Sequence, residues 1–347
     1  MSLSSTSTIK TINLALQGGG AHGAFTWGVL DRLLEDDDRL KIEGISGTSA
    51  GAMNAAALLQ GYVVDGAAGA RRTLDAFWQG IGRLSAYDVP QRSLLDLWTG
   101  NWNTDSSPMT AMTDAMQRMF SPYQTNPLNL NPLRDMVSGM IDVAAIRSCQ
   151  QIKLFISATC VETGRIRVFE RHELTIDALM ASACLPLAFQ AVEIDKTAYW
   201  DGGYVGNPAI FPLIYNCQSP DVVLVQINPL FRPGTPNTPM EIIDRLNEIT
   251  FNAALISEMR AIAFVQRLVD QDHLKNGEAQ HLKSMNMHVV AAEEEMRKLG
   301  VASKSNSSPE FLRYLKGIGR EAADKWLKEN WDAIGERSSV DIRKMYL

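Results

Sequence analysis

Short apolar segments alternate with stretches of helical hydrophobic spacing through the first part of the chain. Residues 11–16 are predicted to form a strand, and from Ala24 to Leu34 apolar side chains recur every three or four positions, as on one face of a helix. A second apolar segment, 42–45, is followed by a run of small residues, and residues 66–82 repeat the helical spacing. This alternation predicts an α/β fold in which helices cover both faces of a parallel sheet.

Later apolar segments extend the predicted sheet. Two of them are joined by a hairpin-like turn at residues 162–164, and a further short strand is expected just before Asp201. The other predicted strands, in chain order, are 152–158, 165–170, 191–194, 221–227 and 286–290. The sheet is therefore expected to collect strands from most of the chain.

The pattern becomes irregular between residues 87 and 143, where five prolines interrupt it. Ser107 followed by Pro108 is a good helix start, with the serine as N-cap and the proline in the first helical position. Four methionines then recur at helical steps: Met109, Met112, Met116 and Met119. Such side chains either fill the core side of an irregular helical cap or form a pliable apolar wall for an acyl chain.

The last third of the chain is predicted to be helical. Thr238 and Pro239 begin a long amphipathic stretch that extends to residue 272, and a last amphipathic helix starts at Pro309. A Ser-rich segment, 303–308, has the composition of a linker before that helix. The polar face of the long helix carries both signs of charge, which favours packing on the domain over a role at a membrane surface.

The composition is that of an ordinary globular protein. The chain has 347 residues, 46% of them hydrophobic, and a net charge of −6, which argues against general nucleic-acid binding. Its four cysteines lack C-x-x-C spacing, so reduced thiols are expected rather than a zinc site or a disulfide framework. No apolar run approaches the roughly 20 residues that span a bilayer, and the Ser/Thr-rich residues 1–10 lack the apolar core of a signal peptide. The expected location is the cytoplasm.

The first pattern that indicates chemistry is Gly47-Thr-Ser-Ala-Gly51, a G-x-S-x-G motif centred on Ser49. A nucleophile elbow needs a strand, a tight turn that carries the serine, and then a helix, which is the order predicted around this motif. A serine in such a turn has a strained backbone, so the elbow glycines Gly47 and Gly51 must leave room for strand and helix to approach. The motif predicts that Ser49 is a nucleophile.

A glycine-rich loop, Gly18-Gly-Gly-Ala-His-Gly23, lies between the first predicted strand and helix. It matches G-x-G-x-x-G, which binds pyrophosphate in dinucleotide-binding proteins, but that function also needs an acidic residue at the end of the second strand. Glu43 has nearly the right spacing, yet it lies inside or before its strand. Beside a serine elbow, the same backbone N–H groups suit the oxyanion of a tetrahedral intermediate, which is the favoured interpretation.

A nucleophilic serine needs a group that takes its proton. The histidines are poorly placed for this role, since His288 falls inside a predicted strand, His273 ends a helix and His281 follows a polar helical stretch. Asp201, in Tyr199-Trp-Asp-Gly-Gly203, is the better candidate, although Asp-Gly is also common in simple turns. A carboxylate needs partial burial to become an effective base at neutral pH.

These three motifs, in this order, resemble those of the patatin-like phospholipase family. The resemblance covers at least residues 11–230 and implies a three-layer α/β/α fold with a mostly parallel central sheet. It also implies a Ser–Asp dyad without a catalytic histidine, with Ser49 as nucleophile and Asp201 as base. The oxyanion hole that it implies is formed by backbone groups of Gly18, Gly19, Gly20 and Ala50.

The resemblance also sets the expected function. Enzymes of this family hydrolyse acyl esters of phospholipids, lysophospholipids or neutral lipids without calcium, so we expect no metal or other cofactor. The expected partner is a lipid or acyl-ester substrate, met through a transient contact with a membrane surface. Acyl transfer by the same dyad and a catalytically silent lipid-binding module are the alternatives. Residues 11–290 are expected to form the hydrolase domain, with the cap at about 87–143, and residues 291–347 a C-terminal helical extension.

One position departs from the family pattern. His22 stands where the first motif of the family commonly has arginine or lysine, so a fixed positive charge is absent at neutral pH or becomes dependent on pH. The departure affects the expected preference for a phosphate headgroup more than it affects catalysis, because the oxyanion donors are backbone groups.

Overall fold

A computed structural model describes residues 9–84, 102, 119–270 and 283–347. Its strands are β1 (Lys10–Leu16), β2 (Leu40–Thr48), β3 (Lys153–Cys160), β4 (Ile166–Glu170), β5 (Val192–Ile194), β6 (Thr197–Asp201), β7 (Asp221–Gln226) and β8 (Asn286–Ala291). These strands form a sheet in the order β5-β6-β3-β2-β1-β7-β8, and β4 also pairs with β3. Five neighbouring strands of the sheet, β3, β2, β1, β7 and β8, are parallel to one another. Strands β4 and β6 run antiparallel to β3.

Helices connect and cover the strands. They are α1 (Gly23–Leu33), α2 (Ala50–Leu84), α3 (Pro122–Thr125), α4 (Pro132–Met140), α5 (Val143–Ser148), α6 (Ile176–Ser182), α7 (Phe211–Asn216), α8 (Pro239–Asp270), α9 (Glu293–Met296), α10 (Pro309–Asn330) and α11 (Ile342–Tyr346). Helix α2 is broken by the non-helical backbone of Asp65 and Gly66, so it consists of two consecutive helices. The second of them contains residues 67–82 of the predicted segment 66–82, whose first residue, Gly66, is part of the break.

Successive residues of β1 pack in two separate cores. Leu14 and Leu16 lie in a core that also contains Phe25 of α1, whereas Ala15 lies in a second core with Leu255 of α8. The separation follows from the two-residue period of a strand, which directs neighbouring side chains to opposite faces of the sheet. Because helices cover both faces, the sheet is the middle of three layers, and the predicted α/β/α class is confirmed.

The predicted strands agree closely with the observed ones. Both ends of each of the five later predicted segments lie within two residues of the ends of an observed strand. The predicted hairpin is the antiparallel pair β3 and β4. Its turn contains Gly164 with a φ of 63°, in the left-handed region that glycine adopts readily. The short strand expected before Asp201 is β6, which includes Asp201 as its last residue.

The predicted cap is described only in part. The helix start at Ser107 and Pro108 and the methionines Met109, Met112 and Met116 lie outside the described residues, as do residues 1–8. Residues 119–143 include α3 and α4, and the Met119 side chain is 74% exposed, so it fills no core position.

The C-terminal region packs directly on the rest of the molecule. Phe311 and Leu315 of α10 lie in the same core as Phe25 of α1. The interpretation of 303–308 as a linker is wrong at its start, because Ser303 is buried and donates a hydrogen bond from Oγ to the Gly300 carbonyl oxygen. Residues 302–305 form a 3₁₀ turn instead. The division of the chain at residue 290 stays a prediction.

Two further observations concern the cysteines and the length of the helices. All four cysteines are free thiols in the structure. Within the described ranges, no helix combines the length and the apolar character needed to cross a membrane.

Candidate functional site

Ser49 lies in the turn between β2 and α2, at the carboxyl end of the parallel part of the sheet. Its backbone φ is 55°, a left-handed conformation that is strained for a residue with a side chain. The Ser49 N–H donates a hydrogen bond of 2.9 Å to the Oγ atom of Ser182 on α6. Strand, strained serine and helix therefore follow one another as an elbow requires.

The elbow glycines lie where no side chain fits. A Cβ atom on Gly47 would lie 2.6 Å from the carbonyl oxygen of Gly51, and one on Gly51 would overlap the carbonyl oxygen of Leu16. Strand β2, helix α2 and the end of β1 therefore approach one another closely around Ser49.

The glycine-rich loop passes directly beside the serine. A Cβ atom on Gly18 would lie 2.6 Å from the Ser49 Cβ atom, and Gly20 has a φ of 57°. The Gly18 N–H donates a hydrogen bond of 2.6 Å to Asn207 Oδ1, so this group is already engaged. Gly20 and Ala50 each begin a helical segment, where the first N–H groups have no acceptor within the helix.

Gln17 holds this loop in place. Its Oε1 atom accepts hydrogen bonds from the N–H groups of Ile227 (2.7 Å) and Asn228 (2.9 Å), at the end of β7. Its Nε2 atom donates to the Asn207 carbonyl oxygen at 3.2 Å. The buried amide thus links the end of β1 to two other segments, which fixes the backbone just before Gly18.

Asp201 is fully buried at the end of β6. Its Oδ1 atom accepts a hydrogen bond of 2.7 Å from the Gly203 N–H. Burial raises the pKa of Asp201 to about 6, against the opposing effects of the Ser49 hydroxyl, the Gly203 N–H and the charge of Lys304. The carboxylate is therefore more basic than an exposed one and is still largely ionised at neutral pH.

The structure brings Ser49 and Asp201 together. The Ser49 hydroxyl is close enough to lower the pKa of Asp201 through a side-chain hydrogen bond. However, Asp201 Oδ2 has no partner with good hydrogen-bond geometry among the described residues. The two side chains are therefore close to each other, but their contact is not a well-aligned hydrogen bond.

None of the described histidines forms a hydrogen bond with Ser49. His22 is buried with Nε2 2.7 Å from Ser303 Oγ, and burial followed by the charge of Lys304 lowers its pKa to about 3, so it is neutral at physiological pH. His288 lies within β8, as predicted, with Nε2 3.0 Å from the Asp221 carboxylate at the start of β7. His172 is on the surface, and His273 and His281 lie outside the described residues.

A cavity of about 620 Å³ opens beside the serine. Ser49, Asp201, Gly19, Gly20 and Ala50 all line it, so five of the predicted site residues share one space. Most of its other lining is apolar and includes Met53, Phe77, Trp78, Ile81, Leu185 and Phe251. The volume and the mixture of an apolar wall with a few polar groups are typical of a small-molecule site.

Three polar residues of the site were not found from the sequence. Ser182 and Asn207 accept hydrogen bonds from the backbone of Ser49 and Gly18, and neither belongs to a recognisable motif. Lys304 lines the cavity, although its sequence neighbourhood is the Ser-rich segment taken for a linker. Their roles depend on contacts between distant parts of the chain, which local patterns do not reveal.

The geometry does not favour a dinucleotide site. The Glu43 carboxylate accepts hydrogen bonds from the N–H groups of Gln218 (2.7 Å) and Ser219 (2.8 Å), just before β7 begins. It is therefore engaged at the end of the sheet opposite the glycine-rich loop, where it could not reach a ribose. In the part of the chain that the structure describes, no group of three or more His, Cys, Asp or Glu side chains is arranged to hold a metal ion.

Comparison with known proteins gives a family and several distant structural likenesses. The model of the family Patatin-like phospholipase matches residues 14–214. VipD from Legionella pneumophila has 14% identity and a TM-score of 0.43, over 92% of this chain and 67% of VipD. ExoU of Pseudomonas aeruginosa, solved in complex with SpcU from the type III secretion system, has 15% identity and a TM-score of 0.32, over 93% of this chain and 54% of ExoU. A search of curated proteins finds no match.

Proposed function

The chain belongs to the patatin-like phospholipase family, and we propose that it is an enzyme that hydrolyses lipid esters, with Ser49 as nucleophile and Asp201 as base. The proposal rests above all on one observation: a serine in a strained elbow faces a buried carboxylate inside a largely apolar cavity. Each part of the reaction can be assigned to a group at this place.

In the proposed acylation step, the Asp201 carboxylate takes the proton of the Ser49 hydroxyl while Oγ attacks the ester carbonyl carbon. A pKa of about 6 suits this task, because the group is ionised at neutral pH yet more basic than an exposed aspartate. The tetrahedral intermediate then collapses, the ester C–O bond breaks, and the leaving alcohol takes the proton from Asp201. The product is an acyl-enzyme on Ser49.

In the proposed deacylation step, Asp201 takes a proton from a water molecule that attacks the acyl-enzyme. The Ser49 oxygen leaves and recovers a proton from Asp201, which releases the fatty acid and restores the dyad. One carboxylate can serve both half-reactions because it alternates between base and acid.

The oxyanion formed in each step needs preorganised donors. We assign them to the N–H groups of Gly19, Gly20 and Ala50, which line the cavity beside Ser49. Gly18 is not among them, because its N–H already donates to Asn207 Oδ1. Its role in the proposal is to let the loop lie against the Ser49 Cβ atom.

The apolar wall of the cavity supports a lipid acyl chain as the substrate group. The side chains that form it line the same cavity as the serine, and Met53 in particular is unbranched and can adapt to a flexible chain. This gives the lipid-ester substrate a place to bury its apolar surface while the carbonyl group remains at Ser49.

The proposal is tested by labelling and turnover together. Wild-type protein should react with a fluorophosphonate probe and hydrolyse a palmitoyl ester, and Ser49→Ala should do neither. Failure of the wild type to label or to hydrolyse any ester of a panel of phospholipids, lysophospholipids, glycerides and short esters would overturn it. Circular dichroism of both proteins would show that the loss in the variant is not a loss of folding.

A further inference from the structure

Lys304 places an ammonium group in the wall of the cavity that contains Ser49. Its Nζ atom donates hydrogen bonds to Asn247 Oδ1 at 2.6 Å and to Asn228 Oδ1 at 2.9 Å. It also lies 5.1 Å from the centre of the Phe251 ring. Asn247 and Phe251 line the same cavity, so the charge sits at its surface.

No carboxylate among the described residues lies close enough to this ammonium to act as a direct counter-ion. No carboxylate of the described residues forms an ion pair with Lys304, and both of its hydrogen-bond acceptors are neutral amides. Glu248, Asp244 and Asp201 act on it only at longer range, and Glu248 is already paired with Arg232 and Arg245. Holding a half-buried cation without a directly paired counter-ion is costly, which favours a ligand that supplies the negative charge.

The hydrogen-bond donors of the Lys304 ammonium also favour an anionic ligand. An ammonium has three N–H donors, and in the described residues two of them have acceptors. The remaining donor is available to a ligand in the cavity. A hydrogen bond from an ammonium to an anionic oxygen is about twice as strong as one between neutral groups.

The position relative to the reaction centre limits what this anion can be. Lys304 is close enough to Asp201 and to His22 to change the pKa of each, so it lies near the dyad and the glycine-rich loop. His22 is neutral in this environment and cannot supply the charge itself. An anionic group bound here would therefore belong to the part of the ester that adjoins the scissile bond.

We propose that Lys304 forms a phosphate-binding subsite, which holds the headgroup phosphate of a lysophospholipid or phospholipid while Ser49 attacks the acyl ester. This inference rests on the proposed function of Ser49 and Asp201 and adds the residue that selects a phosphate-bearing substrate. The C-terminal turn at residues 302–305, beyond the part of the chain that the family model matches, thus supplies the specificity of the site.

The test compares two esters that differ only in the phosphoglycerol headgroup: 1-palmitoyl lysophosphatidylglycerol, which has it, and 1-palmitoylglycerol, which lacks it. For the wild type, and for Lys304→Gln and Lys304→Arg, kcat/KM is measured on both. Lys304→Gln should lower the ratio of lysophospholipid to palmitoylglycerol activity by roughly 10- to 100-fold, the value of one charge-assisted hydrogen bond. Lys304→Arg should retain most of the ratio because it keeps the charge.

The control is Lys298→Met, which removes an exposed lysine that is paired with Glu295 and does not line this cavity. It should leave the ratio within about 2-fold of wild type, as a surface charge is largely screened. Circular dichroism of Lys304→Gln would show whether the variant is folded.

Other results would overturn the inference. Asn228 joins Lys304 to the Gly18 carbonyl oxygen, so a purely structural role would lower activity on both esters equally. An unchanged ratio in Lys304→Gln would show that Lys304 does not bind the headgroup phosphate. If inorganic phosphate then inhibited the wild type but not this variant, the ligand of Lys304 would be free phosphate instead. Hydrolysis of neither ester by the wild type would contradict the proposed function rather than this subsite.

Discussion

The Nε2 atom of His22 lies 2.7 Å from the Oγ atom of Ser303 and joins the glycine-rich loop to a turn 281 residues further along the chain. The same turn carries Lys304, whose backbone oxygen packs against Gly20. The first motif is therefore supported by a segment that lies beyond the residues matched by the family model. The C-terminal region therefore packs on the glycine-rich loop as well as on α1.

Replacement of Ser303 tests this support. Ser303→Ala should lower the free energy of unfolding by about 1–3 kcal/mol, because the buried His22 ring would lose a hydrogen-bond partner without gaining water. Urea unfolding followed by circular dichroism measures the change. Ser305→Ala, at an exposed position of the same turn, is the matched control and should unfold like wild type. Equal midpoints for both variants would contradict the role of the His22–Ser303 contact.

The substitution Asp201→Asn tests the proposed role of Asp201 as the base. Asp201→Asn should lower kcat by about 10²- to 10⁴-fold, because an amide cannot take the proton of Ser49, while its Oδ1 atom can still accept the Gly203 N–H. The measurement is hydrolysis of a palmitoyl ester under saturating substrate. His172→Ala, on the surface, should keep full activity. If Asp201→Asn retained wild-type kcat, another group would have to be the base.

The pKa of Asp201 predicts a pH dependence. Protonation of the carboxylate below pH 6 removes the base, so kcat/KM for palmitoylglycerol should rise with pH up to about 6 and then become constant. For the lysophospholipid it should also fall above about pH 8, where Lys304, whose pKa burial lowers to about 8, loses its charge. Rate profiles from pH 4.5 to 9.5 measure both limbs. Identical pH profiles for the two esters would show that Lys304 does not bind the headgroup.

The parts of the molecule that could be predicted from sequence are those with a local cause. The strand and turn at Ser49 follow from a short apolar run and two glycines, and the alternating layers follow from the spacing of apolar residues. The support of the site could not be predicted in this way. Ser182 contacts Ser49 across 133 residues and Asn207 contacts Gly18 across 189, and no local pattern marks either pair. Lys304 is the clearest case, since a polar, Ser-rich neighbourhood is typical of a linker whether or not one side chain points into a cavity.

A half-buried carboxyl group on α8 should make the stability of the protein depend on pH. Glu258 of α8 accepts hydrogen bonds from the N–H groups of Ile210 and Phe211 through one oxygen, and burial raises its pKa from 4.5 to about 7. Because the folded state holds this proton more tightly than the unfolded state, the contribution of Glu258 to stability decreases as pH rises from about 4.5 to about 7.

The variant Glu258→Gln isolates this effect, since the amide oxygen can accept the same two N–H groups without ever carrying a charge. We expect it to be more stable than wild type by about 1–3 kcal/mol at pH 8 and no more stable at pH 4, where Glu258 is protonated in both states. Urea unfolding at the two pH values gives the comparison, with Glu310→Gln at an exposed position of α10 as the control for loss of one surface carboxylate. A difference between Glu258→Gln and wild type that did not change with pH would mean that the raised pKa is not what limits stability there.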